Sequence, residues 1–189
     1  KPENLTSLLI AVLFGGSSAF AETIQLDSPD GHLKLTLEVA DDGGVTHALT
    51  VDGKPLISPS PTGFAGGRFA GVKRRAENSV WKPVWGKRAV VPDRYREATI
   101  DLGIYQIKAR AYDEGIAFRY VFPGAKPSGA EATAFHFAGD YTAWYYNGEN
   151  HNIGPEKLSA ANGKRLPVAT LKTAIGLYLA LREAYLTEG

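Results

Sequence analysis

Residues His32 to Val39 alternate without a break: Leu33, Leu35, Leu37 and Val39 fall on one side, His32, Lys34, Thr36 and Glu38 on the other. An extended chain sends successive side chains to opposite faces, so this segment is predicted to be a strand buried on one face. The pattern recurs. Val45 to Val51 alternates again after the turn cluster Asp41-Asp42-Gly43-Gly44, and Asp52-Gly53 ahead of Lys54-Pro55 is a hairpin signal. Glu97–Leu102, Tyr105–Tyr112 and Ile116–Phe122 read as strands, the last two joined by the tight turn Asp113-Glu114-Gly115. Ala132–Phe137, Thr142–Tyr146 and Ala174–Ala180 complete the set, and Pro155–Ala161 offers at most one helical turn. Pro59, Pro61, Gly63, Gly66 and Gly67 mark a long loop. Trp81–Trp85 is at most an edge strand, because Pro83 lacks the N–H that a central ladder needs. Short strands spaced roughly ten residues apart predict an all-β fold, a sandwich of antiparallel sheets.

Composition narrows what such a sandwich does. With 189 residues, 44% hydrophobic and 22% charged, the chain can bury a core and is not of disordered type. A net charge of +1 excludes capture of nucleic acid by bulk charge. The absence of cysteine excludes disulfides, thiolate metal sites and a cysteine nucleophile. Residues 1–21 read as a secretory signal peptide: an apolar run from Leu5 to Phe14, then Gly15-Gly16-Ser17-Ser18 and the small-residue cleavage site Ala19-Phe20-Ala21. The mature domain is expected to span 22–189, in the periplasm or secreted, without a membrane span. The end at Gly189, two residues past Thr187 with no turn or cap beyond, reads as a break within a longer protein.

The motifs that carry chemistry are few. Gly63 to Gly71 is glycine-rich, but Val72-Lys73-Arg74 follows in place of the Gly-Lys-Ser/Thr that opens a phosphate-binding helix, so it reads as loop. Lys73-Arg74-Arg75, Lys87-Arg88, Arg94 and Arg96 are interleaved with Glu77, Asp93 and Glu97, which reads as a solvated loop face. His32, His47, His136 and His151 have no metal-ligand spacing, and no Gly-x-Ser-x-Gly elbow nominates a nucleophilic serine. Glycoside hydrolysis needs two carboxyl groups across the scissile bond, and Glu97, Asp101, Asp113, Glu149, Glu156 and Glu183 form no evident pair. Aromatics are more suggestive. Trp144-Tyr145-Tyr146-Asn147-Gly148-Glu149-Asn150-His151 sets rings beside amides and an acid, the partners that sugar CH faces and hydroxyls require. Tyr145, Tyr146, Asn147, Glu149 and His151 are the candidate substrate-binding residues; for Tyr146 to His151, which reads as loop, filling of the sandwich core is the equal alternative. Trp81 and Trp85 read first as core filling.

Several stretches together resemble the N-terminal domain of glycoside hydrolase family 97, secreted α-glucosidases and α-galactosidases. They are Ser28-Pro29-Asp30-Gly31, Val51-Asp52-Gly53-Lys54-Pro55-Leu56, Trp81 to Lys87, Asp93-Arg94-Tyr95-Arg96-Glu97, Arg110 to Tyr120, and Leu177 to Ala184. Arg96 stands where the family usually has a smaller Asn. The resemblance implies a β-supersandwich of the galactose-mutarotase-like kind, followed in the parent chain by a catalytic (β/α)8 barrel. The general acid and the base or nucleophile belong to that barrel, so no catalytic residue is assigned here and the fragment is expected to be inactive alone. It also implies that Glu183, in the Glu183-Ala184 pair, lends one oxygen ligand to a Ca2+ ion at the barrel's active site. The expected partners are then an oligosaccharide or α-glycoside substrate and the barrel itself. Two rivals stand beside this reading. One is a free-standing carbohydrate-binding module with Trp85, Trp144 and Tyr145 on one concave face. The other is a mutarotase pairing His136 or His151 with a carboxylate.

Overall fold

The computed structural model describes residues 20–146, 148 and 152–183. The expected signal segment lies outside these residues up to position 19, and the first strand begins at Phe20, just upstream of the expected mature start.

The strands follow the turn chemistry. β1 (Phe20–Asp27), β2 (Leu33–Ala40), β3 (Val45–Val51) and β4 (Lys54–Thr62) form an antiparallel meander, closed at one edge by the short β9 (His136–Phe137). β5 (Gly71–Trp81), β6 (Val91–Asp101), β7 (Gln106–Tyr112) and β8 (Gly115–Val121) form a second antiparallel sheet in sequence order. β10 (Thr142–Tyr146), β11 (Asn152–Lys157), β12 (Leu166–Lys172) and β13 (Tyr178–Leu181) form a third, in the order β11-β10-β12-β13. A single 3-10 turn at Leu158–Ala160 follows β11.

One face of the first sheet carries both cores. Ile24, Leu26, Leu35, Leu37, Val39 and Val45 pack against Ala98, Ile100, Ile107, Ala109 and Ala111 of the second sheet. Farther along the same alternation, Leu49, Leu56 and Ile57 pack against Ala143, Tyr145 and Leu171 of the third. Ile116 touches both clusters. The molecule is thus two layers, with the second layer split into two four-stranded sheets. The imidazole of His47 is fully buried on this shared face between Phe118 of β8 and Phe135, with ring centroids 5.3 and 5.1 Å away. Its Nδ1 hydrogen-bonds the Thr62 hydroxyl.

Several expectations are corrected. The loop predicted around Pro59 and Pro61 is in part a strand, because β4 runs through Thr62. Backbone groups alternate sides along a strand, so both prolines turn their missing N–H toward the β9 edge, where Pro61 still accepts from the Ala134 N–H at 3.0 Å. The missing donors also explain why the strand expected over 132–137 pairs only at His136–Phe137. The basic stretch Lys73–Arg75 lies on strand β5, not in a loop; it faces solvent on an edge, and too few apolar residues remain to show an alternation. Trp81 ends β5, and the chain through Trp85 is a loop rather than a strand. Trp81 and Trp85 are 54% and 86% exposed, so neither fills the core. The strand expected at 174–180 is displaced to Tyr178–Leu181, since Ala174 to Gly176 form the β12–β13 turn, closed by Thr173 N–H to Leu177 O at 2.9 Å.

Candidate functional site

The third sheet has one face in the core and one face open. In register, Ala143, Leu171 and Leu179 lie side by side facing inward, while Trp144, Thr170 and Ala180 lie side by side facing outward. Val168 and Lys172 share the outward side of β12, and Tyr178, paired with Lys172, adds the next ring. Trp144 and Tyr178 stack, centroids 6.3 Å apart and planes 27° from parallel. The Lys172 ammonium sits 5.3 Å from the Tyr178 ring, a cation–π distance. Beside the tryptophan a shallow depression is lined by Trp144, Tyr145, Tyr146, Val168 and Thr170. Flat rings flanked by a hydroxyl and an ammonium suit a pyranose, whose CH face stacks while its hydroxyls seek polar partners.

Of the candidate residues, Tyr146 is half exposed at the end of β10. Tyr145 lies on the inward side of β10, 7% exposed, with the Arg165 guanidinium 5.7 Å from its centroid. Burial, and then the Glu156 carboxylate, push its phenol up, against the opposing Arg165 charge. The side chain next to it, Trp144, takes the outward position. Asn147, Glu149 and His151 lie outside the described residues. They fall in sequence between β10 and β11; Tyr146, the last residue of β10, pairs with Asn152 and with Leu166. Glu183 is exposed, two residues past β13. β13 pairs Tyr178 with Lys172 and Leu181 with Ala169, so the chain beyond it runs toward the position of Leu166. Tyr146 and Glu183 therefore leave the sheet at the same end.

Among the described residues no three His, Asp or Glu gather into a metal-holding group. The exposed Glu183 carboxylate is one donor group, where Ca2+ takes about six to eight oxygens. Three of the other acids are committed elsewhere. Glu97 bridges Arg75 and Arg110 at 2.8 and 2.6 Å, Asp113 pairs with Arg94 at 3.0 Å, and Glu156 pairs with Arg165 at 3.3 Å. His136 Nδ1 lies 3.2 Å from the Pro59 carbonyl oxygen. Trp85 belongs to the β5–β6 loop and Tyr145 faces inward, so the three rings of the binding-module reading do not share one face. Sequence reasoning missed Tyr178 and Lys172; the signal available was the outward alternation of Leu166, Val168, Thr170 and Lys172.

Antiparallel sheets in two layers, one of them carrying an open aromatic face, define the class first: an all-β supersandwich domain. The chain matches the family described as Glycosyl-hydrolase 97 N-terminal over residues 26–188, and it belongs to that family. A retaining alpha-galactosidase of Bacteroides thetaiotaomicron is 26% identical, covering 87% of this chain and 28% of that protein. A probable retaining alpha-galactosidase of Streptomyces bingchenggensis is 27% identical over 97% of this chain and 32% of its own length. The chain thus spans about a third or less of these relatives. Among solved structures, a glycoside hydrolase family 97 enzyme from Pseudoalteromonas sp. strain K8, in complex with acarbose, superposes with a TM-score of 0.71 at 23% identity, over 86% of this chain and 28% of that one. A beta-arabinopyranosidase superposes with a TM-score of 0.64 at 18% identity, over 79% of this chain and 29% of that one. Both likenesses are of fold.

Proposed function

We propose that this chain is the docking and pocket-flanking domain of an exported, calcium-dependent α-glycosidase acting on α-galactosides or α-glucosides. The observation that supports the reading is that Tyr146 and Glu183 lie at one end of the third sheet. An aromatic ring and an exposed carboxylate at one edge are what a sugar pocket and its cation would draw from a neighbouring domain. The names of the two curated relatives, of which this chain matches about a third or less, support the enzyme class. The catalytic acid and base are assigned to the barrel of the longer protein. Calcium there would supply positive charge beside the sugar. This chain's part is to present the Glu183 oxygen, to shield the pocket edge from water and to orient the substrate through Tyr146.

The test is calcium titration of the intact enzyme while it turns over an aryl α-galactoside or an aryl α-glucoside. Glu183→Ala is expected to raise the calcium concentration for half-maximal activity severalfold, while the chain by itself hydrolyses neither substrate. An unchanged calcium requirement, or turnover by the isolated chain, overturns the proposal. The stacked pair Trp144 and Tyr178 favours one second reading, a carbohydrate-binding module that works without a catalytic neighbour. Tight binding of maltose or galactose by this chain alone, lost in Trp144→Ala, would select it.

A further inference from the structure

We infer that the distal half of the β5–β6 hairpin is an arm that grips an acidic, apolar cleft on the catalytic portion of the same enzyme; the inference rests on the function proposed above. β6 pairs with β7 only from Tyr95 onward, opposite Tyr112, whereas its pairing with β5 continues from Asn78–Arg94 to Trp81–Val91. Four rungs of ladder, spanning about 13 Å, therefore extend past the third strand as a two-stranded ribbon, and a loop of residues 82–90 caps them. Such a ribbon is marginal alone in water.

Its tip is apolar. Val80, Trp81, Val84 and Trp85 are 62%, 54%, 100% and 86% exposed. Aromatic rings grouped on a projecting tip are the composition of interface anchors, not of ordinary surface. Its flanks are basic. Between Lys73 and Arg96 the sequence has eight Lys or Arg and two acids, in a chain whose net charge is +1. Two copies of this arm would repel one another, whereas an acidic rim around an apolar cleft would attract it. The root is braced: Arg94 Nη2 lies 3.0 Å from Asp113 Oδ2, and Asp113 Oδ1 accepts the Asp30 N–H at 2.8 Å. Arg74 Nη1 donates to the Gln25 carbonyl at 2.7 Å. A ribbon fixed at its base and bare at its end is pre-organised to bind. The curated relatives place about 70% of their length outside the part that this chain matches, which leaves ample surface for the cleft.

Hydroxyl-radical footprinting read by mass spectrometry tests this. Oxidation of Trp81 and Trp85 is measured in this chain alone and in the intact enzyme. Labelling of both rings is expected to fall severalfold in the intact enzyme, and to recover in the intact Lys87→Glu/Arg88→Glu variant, whose changes leave the domain's core untouched. Equal labelling in the two proteins overturns the inference. So does a fall in labelling of the isolated chain as its concentration rises, since a second copy would then be the occupant. Ring protection is read without turnover, so glycosidase assays on the same samples score the functional proposal separately.

Discussion

His47 shows what one residue does at the seam of the two cores. Burial first, and the His136 charge second, push its pKa down to about 4, and its Nε2 has no hydrogen-bond partner among the described residues. Histidine in an unfolded chain titrates near 6.5, so between those values the unfolded state binds a proton that the folded state refuses. Stability from this group is whole above pH 6.5 and is lost as the pH falls toward 4, by up to about 3 kcal/mol. Urea unfolding at pH 7.5, 5.5 and 4.5 should show that slope, and His47→Leu should flatten it; an equal slope in the variant would refute the assignment. The histidine's position on the inward side of β3 was legible from the alternation Val45, His47, Leu49. Its burial as the neutral form was not, since that depends on rings brought in from β8 and from the segment before β9. The inward turn of Tyr145 was hard to read for a related reason: the run Trp144-Tyr145-Tyr146 is aromatic on both faces and removes the apolar–polar contrast, although Ala143 and Tyr145 are the buried positions of β10.

Among the elements, the ladder β5-β6-β7 sets Arg75, Glu97 and Arg110 directly opposite one another. Glu97 is 4% exposed. Burial alone would raise its pKa, yet hydrogen bonds from Arg110 and Arg75 outweigh that and hold the carboxyl below its usual value. The Arg110 guanidinium also lies 4.1 Å over the Tyr95 ring. Removing the acid leaves two cations side by side. Glu97→Ala should cost about 2 kcal/mol in chemical denaturation, less than the loss of a fully buried pair because Arg75 is half exposed. A cost under about 0.5 kcal/mol would place the triad with ordinary surface pairs. Strands with one wet and one dry face were read correctly: β2, β3, β7, β8 and β10 keep the alternation and fall within a residue or two of expectation. β5 and β12 were not, because an edge exposed on both faces, or a sheet with apolar residues on its open face, removes the contrast on which the reading depends.

For the whole molecule, the decisive feature is that one face of the first sheet serves both cores. Leu35 lies in one cluster and Leu171 in the other, with Ile116 common to both. Leu35→Ala and Leu171→Ala should each cost about 2–5 kcal/mol and shift one shared transition, followed by circular dichroism and tryptophan emission together. Two separated transitions would mean that the halves melt independently. The all-β sandwich was legible from strand spacing, but the split of its second layer was not, because nothing local records which hairpins pair with each other. The long outer strand β5 has a consequence for solubility. Eleven residues of extended backbone with one side unpaired would, in a blander sequence, be a template on which neighbouring molecules anneal into filaments. Lys73, Arg74 and Arg75 stand along that rim, so each added copy would bring like charges face to face. These cations guard the protein against fibre growth at high concentration.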